Sequence, residues 1–281
     1  NGSGVFDLDK DTLNIKITKA DLGGMDVSKA DLLFTEVVEE GEGGIQMDID
    51  LAGSLKNVFE YLSLEPIDLK DELDMDLEKV KGDSTLNVKL SFPTKNDLKI
   101  EEIKMDVTGK VRNGYLPNIV EGLPLSGGPF DVEVKDDHYT VKGSGRLSKW
   151  PVKVSWQEYF DSDGKQFRQQ AIASITADQE LRDHFGIDIS DFVEGSIPAN
   201  ITYTAFTGNK SEAAISMDLT ASKLKLEAFH YEKQVGKSAR GSLKAELNNG
   251  ILGKISNLEI QAPNLQASGG DISFRGSGDN A

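Results

Sequence analysis

The sequence predicts a mainly β protein: a long antiparallel sheet with two short helical inserts. The main observation is that most segments between turns alternate apolar and polar residues with a period of two. Because successive side chains point to opposite faces of a strand, each such segment predicts a strand with one apolar and one polar face. The clearest segments are residues 86–92 (LNVKLSF), 103–107 (IKMDV), 152–156 (VKVSW), 215–219 (ISMDL) and 243–247 (LKAEL).

Turn signals are the second observation. Asn-Gly or Asp-Gly pairs at 113–114, 163–164 and 249–250 predict tight hairpin turns, because both residues tolerate a positive φ. Gly127-Gly128-Pro129 and Gly269-Gly270 add further breaks. Strand signals separated by turns every 8–12 residues or so predict a meander of roughly 18 to 20 strands.

Two stretches depart from the alternation and predict the helical inserts. Residues 54–62 carry apolar residues at helical spacing behind Ser54 as N-cap, and residues 68–80 predict a second short acidic helix after Pro66. The other insert is residues 178–192, with Asp178 as its N-cap.

These inserts belong to a proposed internal repeat. Residues 87–91 (NVKLS) align with residues 200–204 (NITYT), 113 positions later. The repeat predicts an N-terminal β segment at 1–53 that continues a longer sheet, followed by two modules of insert plus sheet at 54–177 and 178–281. Coincidence between similar strand patterns is the alternative.

Composition narrows the function classes. The 281 residues are 38% hydrophobic and 28% charged, which is typical of a folded, soluble protein. There is no run of about 18 apolar residues to span a bilayer. The net charge of −16 argues against nucleic acid and against an anionic membrane surface as partners. Residue 1 is Asn, with no apolar leader behind it, so we expect a processed product or a piece of a longer protein.

The sequence offers no catalytic centre, cofactor site or metal site. The absence of Cys excludes disulfides, thiolate nucleophiles and Cys-ligated zinc. His138, His184 and His230 are scattered, without metal-ligand spacing. Residues 7–11 (DLDKD) begin like a calcium loop but lack its central Gly and its final Glu, and residues 143–145 (GSG) lack the third Gly of a phosphate cradle. We therefore predict that the chain is not an enzyme, and that residues 143–145 mark a bulge or a close backbone approach within a strand.

One region has a specific order of features. Residues 107–111 (VTGKV) are followed by 122–129 (GLPLSGGP), 132–134 (VEV), 141–147 (VKGSGRL) and 151–160 (PVKVSWQEYF). This order resembles the periplasmic region of AsmA-like envelope proteins, in particular their YhdP-type branch. The insert at 55–80 with its closing Gly82 is also similar, and the resemblance is best over residues 50–165.

The resemblance implies a periplasmic segment of an inner-membrane-anchored protein, built from repeating β modules. These form a long, twisted, curled sheet like a taco, whose apolar groove conducts phospholipid acyl chains. Contact with the inner and outer membranes would be made by parts of the protein not present here, and the family implies no catalytic residue and no cofactor. The groove is predicted to be lined by the apolar members of the strands: Leu86, Val88, Leu90, Phe92, Ile103, Met105, Val107, Val132, Val134, Val141, Val152, Val154, Trp156, Ile201, Tyr203, Ile215, Met217, Leu219, Leu224, Leu226, Leu243 and Leu247.

A tandem β-sandwich is the alternative architecture, because a sheet of roughly 20 strands must curl, split or close. In that case the chain would be a structural or protein-binding module of the cell envelope, with no lipid conduit. The groove hypothesis places Leu86, Val88, Leu90 and Phe92 on the concave side of the sheet. The polar residues Asn87, Lys89, Asp106 and Lys153 are then expected to face water. A register slip of one residue would exchange the two faces.

Overall fold

The computed structural model describes residues 2–36, 43–63, 76–99 and 102–274. In this part of the chain 16 strands form one antiparallel sheet that is not closed, and two α-helices accompany it. The mainly β fold, the long antiparallel sheet and the two short helical inserts are therefore confirmed. The chain divides into two compact units, Asn1–Ser148 and Lys149–Ala281. We call them unit 1 and unit 2.

Unit 1 is an antiparallel meander in which each strand pairs with the next along the chain. Its one α-helix in the described residues interrupts the meander between the fourth and fifth strands. The elements are β1 (Gly2–Asp9), β2 (Thr12–Leu22), β3 (Met25–Thr35), β4 (Gly44–Ser54), α1 (Leu55–Leu62), a 3-10 turn (Leu77–Lys79), β5 (Lys81–Pro93), β6 (Lys104–Val120), β7 (Leu123–Val134) and β8 (His138–Leu147).

Unit 2 continues the same architecture and adds a small three-stranded sheet. The elements are β9 (Trp150–Tyr159), β10 (Gln169–Ala177), α2 (Gln179–His184), β11 (Val193–Glu194), β12 (Ile197–Ala205), β13 (Lys210–Asp218), β14 (Lys223–Leu226), a 3-10 turn (Glu227–Phe229), β15 (Tyr231–Lys233), β16 (Arg240–Asn248), β17 (Ile251–Ala262), β18 (Leu265–Ser268) and β19 (Ile272–Ser273). Strands β11, β14 and β15 form the small sheet, whereas the others belong to the large one.

Both helices begin where the sequence predicts. The Ser54 hydroxyl accepts a hydrogen bond from the Asn57 amide at 3.0 Å and caps α1. Asp178 caps α2 in the same way, through the Leu181 amide at 2.9 Å. However, α2 ends at His184 instead of reaching residue 192, and Gly186 with a φ of +67° turns the chain away soon after.

The second helix predicted in the first insert, at residues 68–80, falls largely outside the described residues. Its described end contains only the 3-10 turn Leu77–Lys79. Each insert connects two neighbouring antiparallel strands, β4 to β5 in unit 1 and β10 to β12 in unit 2. The predicted segments 1–53, 54–177 and 178–281 stay a prediction.

The predicted hairpin turns are confirmed at two of three sites. Residues 163–164 and 249–250 lie in the turns that join β9 to β10 and β16 to β17. The prediction was wrong at Asn113-Gly114, which lies inside β6. Asn113 has a φ of +52° there, and the pairing with β5 shifts at this point, from Arg112 opposite Asp83 to Tyr115 opposite Lys81. The same tolerance of positive φ that favours a turn serves a β-bulge here.

The predicted close approach at residues 143–145 is confirmed. Both glycines lie in β8 beside Phe130 of β7. A Cβ at Gly145 would lie 2.8 Å from Phe130 Cζ, and one at Gly143 would lie 2.6 Å from the Pro129 carbonyl oxygen. The phenylalanine ring occupies the space that side chains at these two positions would need.

Candidate functional site

The register of unit 1 brings apolar residues of neighbouring strands directly opposite one another. Val88 of β5 pairs with Ile49 of β4 and Val107 of β6, and Leu90 pairs with Met47 and Met105. Because residues in register share a side of the sheet, these rows make one continuous surface. We define the apolar face of unit 1 by Phe6, Leu8, Leu13, Ile15, Ile17, Leu32, Phe34, Ile45, Met47, Ile49, Leu51, Leu86, Val88, Leu90, Phe92, Met105, Val107, Val132, Val134, Tyr139 and Val141.

Charged and polar residues occupy the opposite side of the same strands. Lys89 lies in register with Asp48 and Asp106, and both Lys89 and Asp106 are exposed. The Asn87 amide nitrogen donates to one carboxylate oxygen of Asp48 and one of Asp50, each at 2.8 Å. The side of unit 1 away from the apolar face therefore carries charged and polar side chains.

Unit 2 has an equivalent apolar surface. Ile201 of β12 pairs with Ala173 of β10 and Ile215 of β13, and Ile215 pairs with Leu243 of β16. Lys153 points to the other side, opposite Ser174, and is exposed. We define the apolar face of unit 2 by Val152, Val154, Trp156, Ala171, Ala173, Ile175, Ala199, Ile201, Tyr203, Ala213, Ile215, Met217, Leu243, Ala245, Leu247, Ile255 and Ile260.

Four of the predicted lining residues lie outside the strands of these faces. Ile103 precedes β6, and Leu219 follows β13. Leu224 and Leu226 belong to β14 of the small sheet, where Leu224 is fully buried and Leu226 is half-buried. The alternation in residues 223–226 (KLKL) is the same as in the open strands, so sequence alone does not separate the two cases.

The contributions of β1 to β4 and of β10 to the two apolar faces were not predicted from the sequence. Residues 45–51 (IQMDIDL) alternate with a period of two, which was a usable signal for the apolar face. Residues 171–175 (AIASI) of β10 gave a weak signal because small alanines carry the apolar face while Ile172 lies on the other side and is exposed.

Burial varies along the apolar face of unit 1. In unit 1 the row nearest the insert is buried, and there Met25, Ser84, Val111 and Phe130 lie in register with Gly53. Val27 and Ala30 of β3 are also buried on this side of the sheet. Further along the strands, from Leu86 to Phe92, the apolar side chains are only half-buried. The face is therefore closed at its insert end and, along β5, more open beyond it.

The end of the apolar face in unit 2 is closed by a hydrophobic cluster. Its buried members come from both sheets and from the connections between them: Ile197, Leu219, Leu224 and Ala239, with Ile189, Val193, Met217, Tyr231 and Ala262 packed against them. The small sheet β11–β14–β15 thus covers the end of the large one, and we call this small sheet the cover.

Two polar side chains, the half-buried Asp178 and the buried Arg182, hold the α2 insert in place. One Asp178 carboxylate oxygen accepts from the Leu181 amide and the other from Trp150 Nε1, both at 2.9 Å, and these bonds hold the pKa of Asp178 below its ordinary value. Arg182 is buried and donates to the carbonyl oxygens of Ala177 at 3.0 Å and Gly195 at 2.9 Å. The helix is therefore tied to the ends of β9 and β10 and to the turn before β12.

Among the surface hollows in the described part of unit 1, two differ in character. One of about 570 Å³ lies on the apolar face of β1 and β2, against Phe6, Leu13, Ile15 and Ile17. The larger, of about 760 Å³, is lined by charged residues of β2 to β6 and of the turn after β7, together with apolar residues such as Leu33, Met47 and Leu90. The first is better suited to hydrocarbon, because an acyl chain in the second would strip water from lysine and aspartate side chains.

Within residues 2–36, 43–63, 76–99 and 102–274, no group of three or more His, Cys, Asp or Glu side chains is arranged to hold a metal ion. In the same part of the chain no helix has the length and apolar character needed to cross a membrane.

Comparisons with protein-family models, with curated proteins and with solved structures gave no match.

Proposed function

We propose that this chain is a non-enzymatic, phospholipid-binding segment of a bridge-like lipid transport protein, which moves lipids across the bacterial envelope along an apolar groove. The observation that carries the proposal is the apolar face itself. In each unit it runs without interruption from strand to strand, while the opposite side carries lysine, aspartate and asparagine. Such a surface offers hydrocarbon a dry contact on one side and leaves the protein hydrated on the other.

The energy available to such contact is large. Each CH₂ group that leaves water gains about 0.8 kcal/mol, so a sixteen-carbon tail gains on the order of 10 kcal/mol before entropy costs. In unit 1 one row of the face crosses all eight strands, which at about 4.8 Å per strand spacing gives roughly 34 Å. A row of that length is better suited to a path along which acyl tails move than to a pocket that holds a single tail.

The partial burial of large apolar side chains in mid-strand also favours a binding face over a structural core. In a β-sandwich the inner faces bury each other, so the apolar side chains in the middle of the strands become fully buried. Here the large side chains of Leu86, Val88 and Leu90 are only half-buried in mid-strand, whereas the small Ala30 on the same side is buried. This distribution supports the groove over the structural or protein-binding sandwich.

The remaining parts of the proposal follow from the family resemblance over residues 50–165. We place the chain in the periplasm, as part of a protein anchored in the inner membrane, with acyl chains as its direct partners. The inner and outer membranes are contacted by other parts of that protein. Nucleic acid is not a partner in this proposal, because the net charge is −16.

Photocrosslinking tests the proposal at the level of individual strands. A phospholipid with a photoreactive group in its acyl chain is incubated with the protein, irradiated, and the labelled peptides are sequenced by mass spectrometry. We expect label at apolar-face positions such as Val88 and Ile201, and none at Lys89 or Asn200. Label confined to the polar side, or no label at all, would contradict lipid binding by the apolar face.

A further inference from the structure

A lysine ammonium is enclosed at the base of the cover in unit 2. Lys233 is the last residue of β15, and only 3% of its surface is exposed. Its Nζ donates to four backbone carbonyl oxygens, those of Ser222 at 2.7 Å, Lys237 at 3.0 Å, Gln234 at 3.2 Å and Thr220 at 3.4 Å. An ammonium has three hydrogens, so four acceptors more than saturate it.

The four oxygens belong to the two chain segments that connect the cover to the large sheet. Residues 220–222 enter the cover from β13, and residues 234–237 leave it toward β16. We call these two segments the neck. The neck has further cross-links, because the Gly236 amide donates to the Thr220 carbonyl at 2.8 Å and the Ser222 hydroxyl donates to the Ser196 carbonyl at 3.1 Å. Holding the neck together therefore holds the cover on the hydrophobic cluster.

The charge of Lys233 is balanced by dipoles and not by a contacting acid. Among the described residues, no carboxylate lies within ion-pair distance of its ammonium. Burial lowers the pKa of Lys233, whereas the more distant Asp218 raises it. A ring of backbone carbonyl oxygens around a dehydrated monovalent cation is the arrangement with which proteins bind K⁺, because the oxygens replace the hydration shell. Mg²⁺ and Ca²⁺ are poorer candidates, since sites for them use carboxylates.

We propose that the neck is a monovalent-cation site made of carbonyl oxygens, which the protein fills with its own Lys233 ammonium and which locks the cover over the end of the apolar face. Removing the ammonium turns the same four oxygens into a site for K⁺. This inference stands independently of lipid transport.

The test replaces Lys233 in the full 281-residue chain by methionine, which has a similar length and no charge. Amide hydrogen exchange over residues 220–239 is followed in choline chloride and in KCl at equal ionic strength. In choline we expect exchange in Lys233→Met to rise about tenfold or more over the wild type, because hydrogen bonds from a charged donor are lost and the carbonyls stay unsatisfied. In KCl we expect protection to return, whereas the wild type should not respond to the salt.

The matched control is Lys225→Met in β14 of the same cover. The Lys225 side chain is 54% exposed and pairs with Glu227, so its loss should change neither exchange nor the response to K⁺. A Lys233→Met protein that keeps wild-type protection in choline would overturn the proposal, as would one that K⁺ fails to protect.

A second variant covers the case in which Lys233→Met does not fold in choline. Lys233→Ala leaves room for a small ammonium ion, and the yield of refolded protein is then compared in ammonium, potassium, tetramethylammonium and choline chlorides. We expect ammonium and K⁺ to raise the yield for both variants, and the two bulky cations to have no effect. Equal yields in all four salts would overturn the proposal.

Discussion

Replacing Ile201 by aspartate places a carboxylate in the middle of the apolar face of unit 2. Ile201 is half-buried in β12, in register with Ala173 and Ile215, and no basic residue is in register with it on these strands. Without ligand, water still reaches the new carboxylate, so we expect the free energy of unfolding to fall by only about 1–2 kcal/mol.

The effect on lipid should be larger than the effect on folding. An acyl chain lying across this row would remove the remaining water from the carboxylate, and burying even a neutral polar group without a partner costs roughly 1–3 kcal/mol. Taking about 2 kcal/mol as a lower estimate for the charged group, the dissociation constant should rise at least about 30-fold.

Asn200→Asp is the matched control. Asn200 is the preceding residue of the same strand but lies on the opposite, exposed side, where its side-chain oxygen accepts from the Ser174 hydroxyl at 2.6 Å. An aspartate there keeps the acceptor and stays hydrated. We expect native circular dichroism, near-native stability and unchanged binding.

The assay is titration of each variant with a fluorescent fatty acyl probe, with circular dichroism and urea unfolding as checks on folding. The reasoning is refuted if folded Ile201→Asp binds the probe as tightly as Asn200→Asp does.

Three further predictions concern transport, pH and packing. In the lipid transport protein proposed above, Met217→Lys should abolish lipid exchange between membranes, whereas Ser216→Lys on the polar side should not; equal exchange by the two folded variants would contradict the conduit. The pKa of Asp178 is lowered in the folded state by the Leu181 amide and Trp150, so its contribution to stability is present above the ordinary carboxyl pKa of about 4 and is lost as the pH falls through the folded value. Asparagine offers one acceptor oxygen where the carboxylate accepts from both the Leu181 amide and Trp150 Nε1, so Asp178→Asn should be less stable than wild type by about 1 kcal/mol at pH 7 and close to it at pH 2 by urea unfolding. A difference independent of pH would contradict the assignment. Gly109→Val should lower the free energy of unfolding by about 1–3 kcal/mol or more, because a Cβ there would lie 2.6 Å from the Thr85 carbonyl oxygen and closer still to Leu86. The control Thr108→Val, at an exposed position, should change the free energy of unfolding by less than about 0.5 kcal/mol. Equal effects of the two substitutions would refute the packing argument.

Local patterns predicted the strands and the helix starts because those signals are themselves local. Alternation with a period of two fixes which residues of a strand share a side, and Ser54 and Asp178 cap their helices through amides three residues away. Asn113-Gly114 was misread because its tolerance of positive φ fits a bulge as well as a turn, and only the pairing with β5 distinguishes them.

Features that depend on long-range packing escaped the sequence analysis. Leu224 has the pattern of an open strand, but the cover places it in the cluster with Ile197 and Leu219. The four carbonyl oxygens around Lys233 are backbone atoms, so no residue type in the sequence predicts the site that they form. The apolar face of β10 was hidden because its members are mainly alanines.

The most direct test of the lipid-binding claim is native mass spectrometry of the protein purified from cells, with extraction and identification of whatever lipid it carries. We expect bound phospholipid with little headgroup selectivity, because the contacts are made by acyl chains on the apolar face. A folded protein that emerges free of lipid, and that also fails to bind fluorescent acyl probes, would contradict the account.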